Sequence, residues 1–139
     1  LGSAGGIEFV DDYGHHPTEI RATLDAARGL FPGRRLVTLF QPHRYSRPSL
    51  LYKEFGKAFG GAARVYVAPV YAAGEKPLPG VDSGLILRQL LKNGAPACEF
   101  RGVLETMKEL RPGDVFLTLG AGDVWKLGEE IRMKTEALT

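Results

Sequence analysis

The sequence predicts an α/β fold: a Rossmann-like, mostly parallel six-stranded sheet with helices on both faces. Three observations predict it. Short apolar runs such as Leu36–Phe40 and Val115–Leu119 read as strands covered on both faces. Between such runs, apolar residues recur at spacings of three and four, the period of a helix buried along one face. Prolines and glycines punctuate the alternation. The 139 residues, 44% hydrophobic and 24% charged, suit one domain with a sizeable core.

Ile7–Asp11, with Ile7, Phe9 and Val10 apolar, is the first strand with a clear pattern. Pro17 opens a helix at its first position, where a missing N–H costs nothing. Ile20, Leu24, Ala27 and Phe31 form its buried face, and Pro32-Gly33 stops it. Leu36–Phe40 is a buried strand. Pro48 opens a second helix carrying Leu51, Phe55 and Ala58, ended by Gly60-Gly61. Val65–Ala68 is the next strand, followed by a long loop, Pro69–Val81. Asp82 or Ser83 caps a helix with Ile86, Leu87, Leu90 and Leu91, which meets Gly94 at its end. Ala97–Phe100 is a weaker strand. Leu104, Met107 and Leu110 mark a short helix, Val115–Leu119 the last clear strand, and a helix from about Gly122 carries Val124, Leu127 and Ile131. Right-handed crossovers make these a doubly wound sheet. Residues 1–6 are Gly/Ser-rich, begin at Leu rather than Met, and read as a linker from something longer or as added residues.

Composition excludes several classes. No run approaches the ~18 apolar residues of a membrane span. The formal charge of +2 is too small for a diffuse nucleic-acid footprint, though it allows a local basic pocket. The single cysteine, Cys98, cannot form an internal disulfide, and no secretory leader is visible; both favour a cytoplasmic setting. Cys98 reads as core packing rather than a reactive thiol.

In a doubly wound sheet, ligands bind outside the carboxyl ends of the strands. The unusual residues fall there. Asp11-Asp12-Tyr13-Gly14-His15-His16-Pro17 follows the first of these strands, and Gln41-Pro42-His43-Arg44-Tyr45-Ser46-Arg47 the second. Those two strands are expected to be neighbours, so that their loops converge. In the first loop, Asp12 can accept from a sugar diol. The two Asp and two His can also act as metal ligands, or more simply tie the loop and cap the helix. In the second, His43, Arg44 and Arg47 place three donors within five residues. Arg forks bind carboxylate or phosphate, so an anion site is favoured over a solvated turn paired to a surface Glu. Gly120-Ala121-Gly122 is a tight strand-to-helix turn. It is a poor dinucleotide fingerprint, because Trp125 stands where a third glycine belongs. Asp123 favours the helix N-terminus. Glu75 is a solvated loop acid, or holds a partner across a closing interface. No Gly-x-x-x-x-Gly-Lys-Ser/Thr loop is present.

Asp11–Ile20 resembles the segment that opens the third, C-terminal domain of the Mur ligases. Phe40-Gln41-Pro42-His43-Arg44-Tyr45-Ser46-Arg47 resembles a second signature of that family. Tyr71-Ala72-Ala73-Gly74-Glu75 and Gly120-Ala121-Gly122-Asp123 resemble two further landmarks, in the right order. The similarity runs from about Gly5 to the end, and the Gly-His-His form with Pro-His-Arg-Tyr-x-Arg is similar to the alanine-adding branch. The resemblance implies that residues 7–139 are one domain of a longer ATP-dependent ligase of peptidoglycan precursor synthesis. Its substrates would be L-alanine, ATP and UDP-N-acetylmuramate. ATP and Mg2+ would be held mainly by a central domain, and the sugar nucleotide by an N-terminal domain, neither contained in these residues. By the same resemblance, Asp12 would contact the ATP ribose. Tyr13, His15, His43, Arg44 and Arg47 would surround the alanine carboxylate, with no catalytic group and no metal ligand on this domain, which alone would be inactive. Two alternatives remain: a stand-alone Rossmann-like module that binds an anion without chemistry, and a sibling ligase that adds another amino acid.

Overall fold

The computed structural model describes all residues, Leu1–Thr139. The elements run β1 (Gly2–Ala4), β2 (Ile7–Asp12), α1 (Pro17–Leu30), β3 (Leu36–Phe40), α2 (Ser46–Phe55), β4 (Arg64–Val67), α3 (Ser83–Lys92), β5 (Ala97–Glu99), α4 (Val103–Glu109), β6 (Val115–Leu119) and α5 (Val124–Ala137). They form one six-stranded sheet in the order β1-β2-β6-β3-β4-β5. All neighbours are parallel except β1 and β2. The expected α/β, mostly parallel sheet is therefore present. No helix is long and apolar enough to cross a membrane.

Alternation along the strands divides the core between the two faces. Leu36, Phe40, Val65, Val67, Val115, Leu117 and Leu119 face one side, where Ile20 and Leu24 of α1, Phe55 of α2 and Ile86 and Leu90 of α3 cover them. Phe9, Val37, Leu39, Tyr66 and Phe116 face the other, beneath Val124 and Ile131 of α5, with Val103 and Met107 of α4 alongside. β3 and β6 are buried along their whole length, as expected of strands covered on both faces.

Two features differ from the sequence reading. The sequence reading locates five of the six strands; the sixth is β1, in the Gly/Ser-rich start expected to be a linker, and it pairs antiparallel with β2 as Gly2↔Phe9, Ser3↔Glu8 and Ala4↔Ile7. The cause is Gly5-Gly6, with φ of +57° and +77°. Positive φ at both central residues makes the primed two-residue turn that matches strand twist in a hairpin. Second, β2 and β3 are not neighbours, because β6 lies between them. The crossover through α1 leaves a gap one strand wide, and the chain returns from β5 through α4 to fill it. Element ends shift slightly: α2 begins at Ser46, before Pro48, and α5 at Val124.

The inserted β6 organises the ligand edge. Asp12 and Phe40 both register with Leu119, and Phe40 with Val67, so β2, β6, β3 and β4 end at one level. The helices that follow β2 and β3 pack on one face, while α5, which follows β6, packs on the other. The chain thus splits to opposite faces on both sides of β6, the arrangement that opens a crevice at the carboxyl edge.

Candidate functional site

β2 delivers Asp12 to this edge. Its Oδ1 accepts the amide hydrogen of Gly14 at 2.7 Å, closing a tight turn. A Cβ at Gly14 would stand 2.9 Å from that oxygen, so the turn admits only glycine without a shift. Asp11, one residue earlier, instead accepts the Thr118 hydroxyl of β6 at 2.6 Å. The loop then enters α1 through His16, whose Nδ1 accepts the Thr18 amide hydrogen at 3.2 Å. Glu19 reaches back to accept the His16 amide hydrogen at 3.1 Å, completing a capping box ahead of Pro17. Tying and capping thus employ Asp11, one oxygen of Asp12, and His16. They leave the second Asp12 oxygen and the His15 ring to the crevice. No group of three or more His, Cys, Asp or Glu is placed to hold a metal ion.

β3 delivers the second loop. Gln41 is buried, and its Nε2 donates to Asp123 Oδ1 at 3.1 Å, joining the β3 and β6 loops. Its Oε1 is buried without a hydrogen-bond partner. His43 forms an isolated parallel bridge with Tyr71 and stacks on its ring, centroids 5.7 Å apart and planes 12° from parallel. The His15 ring lies 5.8 Å from His43 and is itself met edge-on by Tyr13 at 5.7 Å. Although β2 and β3 are separated by a strand, four aromatic rings from three loops therefore form one row.

Arg47, in the first turn of α2, donates from Nη1 to His43 Nδ1 at 3.2 Å and to the His43 carbonyl at 3.4 Å. Arg44 adopts the left-handed conformation, φ +68°, and its amide donates to the Tyr71 carbonyl at 2.7 Å. Neither arginine takes part in any of the chain's salt bridges, so the surface-Glu pairing weighed for them does not occur. The row of rings and the two guanidiniums gather five of the six expected site residues: Tyr13, His15, His43, Arg44 and Arg47. Asp12 sits beside them at the end of β2. An apolar groove of about 290 Å³, lined by Val10, Ala22, Ala26, Leu30 and Phe31, runs from it along α1. The largest cavity, about 530 Å³ between α4, α5 and Ile7, lies at the opposite edge of the sheet.

Hydrogen-bond partners assign the ring protons. A guanidinium only donates, so His43 Nδ1 must be the acceptor and its proton sits on Nε2. A carbonyl only accepts, so His15 Nδ1, 3.0 Å from the Tyr13 carbonyl, carries the proton and Nε2 is left as an acceptor. Burial holds His43 below the ordinary imidazole range, and the adjacent Arg47 and Arg44 add to this, with Glu75 opposing. The site therefore offers donors in the Arg47 guanidinium and His43 Nε2–H, with Arg44 exposed beside them, and His15 Nε2 is the ring nitrogen left without a partner.

Sequence reasoning missed Tyr71 as a wall of the site and Gln41 as the tie to Asp123. Their loops were identifiable by position alone, since both follow strand ends. It also left Glu75 without a partner. The carboxylate accepts from the backbone of Tyr45 and from Ser46. Cys98 is half-buried, with burial pushing its thiol up, as suits a packing role.

A family model described as "Mur ligase, glutamate ligase domain" matches residues 1–122. The chain is 53% identical over 130 residues to a UDP-N-acetylmuramate–L-alanine ligase of Endomicrobium trichonymphae, covering 94% of this chain and 29% of that protein. It is 49% identical to the ligase of the same name from Desulfatibacillum aliphaticivorans, covering 92% of this chain and 29% of that protein. Among solved structures, the UDP-N-acetylmuramate-alanine ligase of Thermotoga maritima superposes with a TM-score of 0.76 at 29% identity, over 96% of this chain and 27% of that one. The chain thus spans about three-tenths of the length of the curated relatives it matches.

Proposed function

Because the chain belongs to the Mur ligase family, as a C-terminal domain, we propose that it serves a ligase joining L-alanine to UDP-N-acetylmuramate in peptidoglycan precursor synthesis. In that reaction ATP phosphorylates the lactyl carboxylate, and the amine of L-alanine displaces phosphate to form the amide. The observation that carries the reading is that Arg44 and Arg47, both free of salt bridges, stand at a row of rings, Arg47 bonded to His43, beside the open oxygen of Asp12.

L-Alanine is a zwitterion with one methyl group. Full burial of that methyl contributes only ~1 kcal/mol, so recognition rests on the charged ends. The carboxylate fits the donor side of the site: the forks of Arg44 and Arg47 and the Nε2–H of His43. A neutral His43 suits this place, since a third full charge between two guanidiniums would repel them. The ammonium fits His15 Nε2, which can take the proton that must leave before the nitrogen attacks. Tyr13 and Tyr71 stand at the two ends of the row. Holding the amine in place removes much of the entropic barrier, and excluding water protects the activated carboxyl from hydrolysis.

Asp12 retains one oxygen for a ribose hydroxyl while the other holds Gly14. ATP supplies the activating phosphoryl group. The chain offers neither a triphosphate loop nor a carboxylate cluster for Mg2+, so both would be bound by the central domain of the longer protein, and the isolated chain would be inactive. The test is amino-acid-dependent phosphate release by the full-length protein, with UDP-N-acetylmuramate and a panel of amino acids. Release that requires the sugar nucleotide and is fastest with L-alanine supports the reading. A preference for another amino acid would reassign it to a sibling ligase, and no release with any would leave only a binding module.

A further inference from the structure

Glu75 has no part in the chemistry above, yet its carboxylate is fully engaged. Oε1 accepts the amide hydrogens of Tyr45 at 2.6 Å and Ser46 at 3.0 Å, and Oε2 accepts the Ser46 hydroxyl at 2.7 Å. Three donors from two consecutive residues converge on a side chain 29 or 30 positions away in sequence. They come from the start of α2, a helix whose N-cap residue, Tyr45, gives no side-chain cap and whose first turn has no acid. A remote carboxylate thus does what an N-cap residue does locally: it satisfies orphan amides and meets the positive end of the helix. These bonds hold Glu75 below the usual carboxylate range.

What this cap holds is the arginine pair. Arg47 sits in the first turn of α2, and Arg44 immediately precedes Tyr45. The same two loops are fastened at three further points: Tyr71 N–H to the Pro42 carbonyl at 2.8 Å, Arg44 N–H to the Tyr71 carbonyl at 2.7 Å, and the stacked His43 and Tyr71 rings. Together they keep Arg44 at a positive φ that a non-glycine residue avoids when free. Such strain persists only where the surroundings over-determine it. Remove the Glu75 carboxylate and the start of α2 loses its acceptor, leaving Arg44 held only by the fastenings to Tyr71.

We propose that Glu75 is the positioning residue of the carboxylate clamp: it sets the geometry of Arg44 and Arg47 without touching substrate. This rests on the reading that those arginines bind the amino-acid carboxylate. It makes the loop after β4 a part of amino-acid affinity rather than a passive connection.

The experiment is steady-state kinetics on the full-length ligase with each substrate varied in turn, for wild type, Glu75→Ala and Glu75→Gln. Glu75→Ala is expected to raise KM for L-alanine about tenfold, equivalent to 1.4 kcal/mol. KM for ATP and for UDP-N-acetylmuramate should stay within about twofold, well under that 1.4 kcal/mol step. Glu75→Gln keeps one oxygen for the two amides and an amide that can donate to the Ser46 hydroxyl, so it should restore most of the alanine affinity. A merely structural role would lower kcat through lost active enzyme and leave KM for alanine unchanged. Wild-type alanine KM in folded Glu75→Ala, or an equal rise for all three substrates, overturns the proposal. Should Glu75→Ala fail to fold, Ser46→Ala removes one of the three bonds and should raise alanine KM about two- to threefold, on the scale of one modest hydrogen bond; no change there likewise overturns it. Wild-type enzyme that does not use alanine would overturn the reading of the site itself, a separate result visible before any variant is made.

Discussion

Replacing Gly122 by Ala tests the geometry of the site through steric displacement. The added Cβ would lie 2.6 Å from Tyr71 Cγ and 2.8 Å from Gln41 Oε1, where ordinary contact begins at 3.4 Å. Gln41 is buried and tied to Asp123, so it cannot retreat. Tyr71 is 37% exposed and can, by about 0.8 Å, which carries its ring off His43. Overpacking costs about 1–3 kcal/mol, and because moving Tyr71 does not relieve the Gln41 contact this case lies at ~2 kcal/mol. Loss of the stack adds ~0.5–1.5 kcal/mol. The melting temperature of the chain should fall by roughly 5–14 °C. The KM for L-alanine of the full-length ligase should rise about 3- to 10-fold as His43 loses its support. The sign is decisive. Gly122 lacks the positive φ that would strain Ala, so in open space the substitution would stabilise by ~0.4–1 kcal/mol through the unfolded state. A raised melting temperature with unchanged alanine KM would show that Tyr71 does not lie over Gly122.

Asp114, with a side chain only 4% exposed, accepts from Arg35 Nε and Nη2 at 2.9 and 2.7 Å and from the Arg111 amide at 2.9 Å. Asp114→Asn should cost about 3 kcal/mol in urea melts, the low end for a broken buried pair, and leave alanine KM unaltered at the far edge of the sheet. Burial would raise the Asp114 pKa, but the bonds from Arg35 and Arg111 outweigh it and the net shift is downward. Its contribution is thus present above the ordinary carboxylate range and lost as pH falls below it; urea midpoints from neutral to acid pH check this. His43 should show, by 15N NMR, a proton on Nε2 at neutral pH and a midpoint below 6.5, because burial and the neighbouring arginines depress it. As pH falls below 6.5 the unfolded chain binds that proton first, so His43 makes stability decline there; a midpoint at or above 6.5 contradicts the assignment. Asp12→Asn keeps an oxygen for Gly14 and alters only the open side. It should raise the ATP requirement of the full-length ligase roughly tenfold with alanine KM unaltered.

The buried strands were legible because Leu36–Phe40 and Val115–Leu119 are apolar throughout, and α1 because its stripe ends at Pro32-Gly33. β1 was not, since Gly-Ser-Ala has no side chains that favour a strand; only the Gly5-Gly6 turn signals it, and the same glycines suit a linker. Strand order is a property of return paths, and nothing in the local pattern of Val115–Leu119 says that it inserts between β2 and β3. Candidate residues were legible where chemistry is unusual at a strand end, and the structure brings Asp12, His43, Arg44 and Arg47 to one edge of the sheet. Contacts over 28 or more positions were not: Tyr71 on His43 and Glu75 on Ser46 depend on how the β4 loop folds back.

The central claim is that Arg44 and Arg47 form the fork that recognises the alanine carboxylate. Lysine at either position keeps the charge but loses the planar pair of donors, and at position 47 also the guanidinium bond to His43. The direct measurement is full steady-state kinetics of the Arg44→Lys and Arg47→Lys full-length enzymes with L-alanine, ATP and UDP-N-acetylmuramate varied in turn. The account predicts that each variant raises KM for L-alanine about tenfold or more, the scale of a lost charge-assisted bond, while the other two constants change far less. Two lysine variants with wild-type alanine dependence would contradict it and reduce the arginines to a solvated turn.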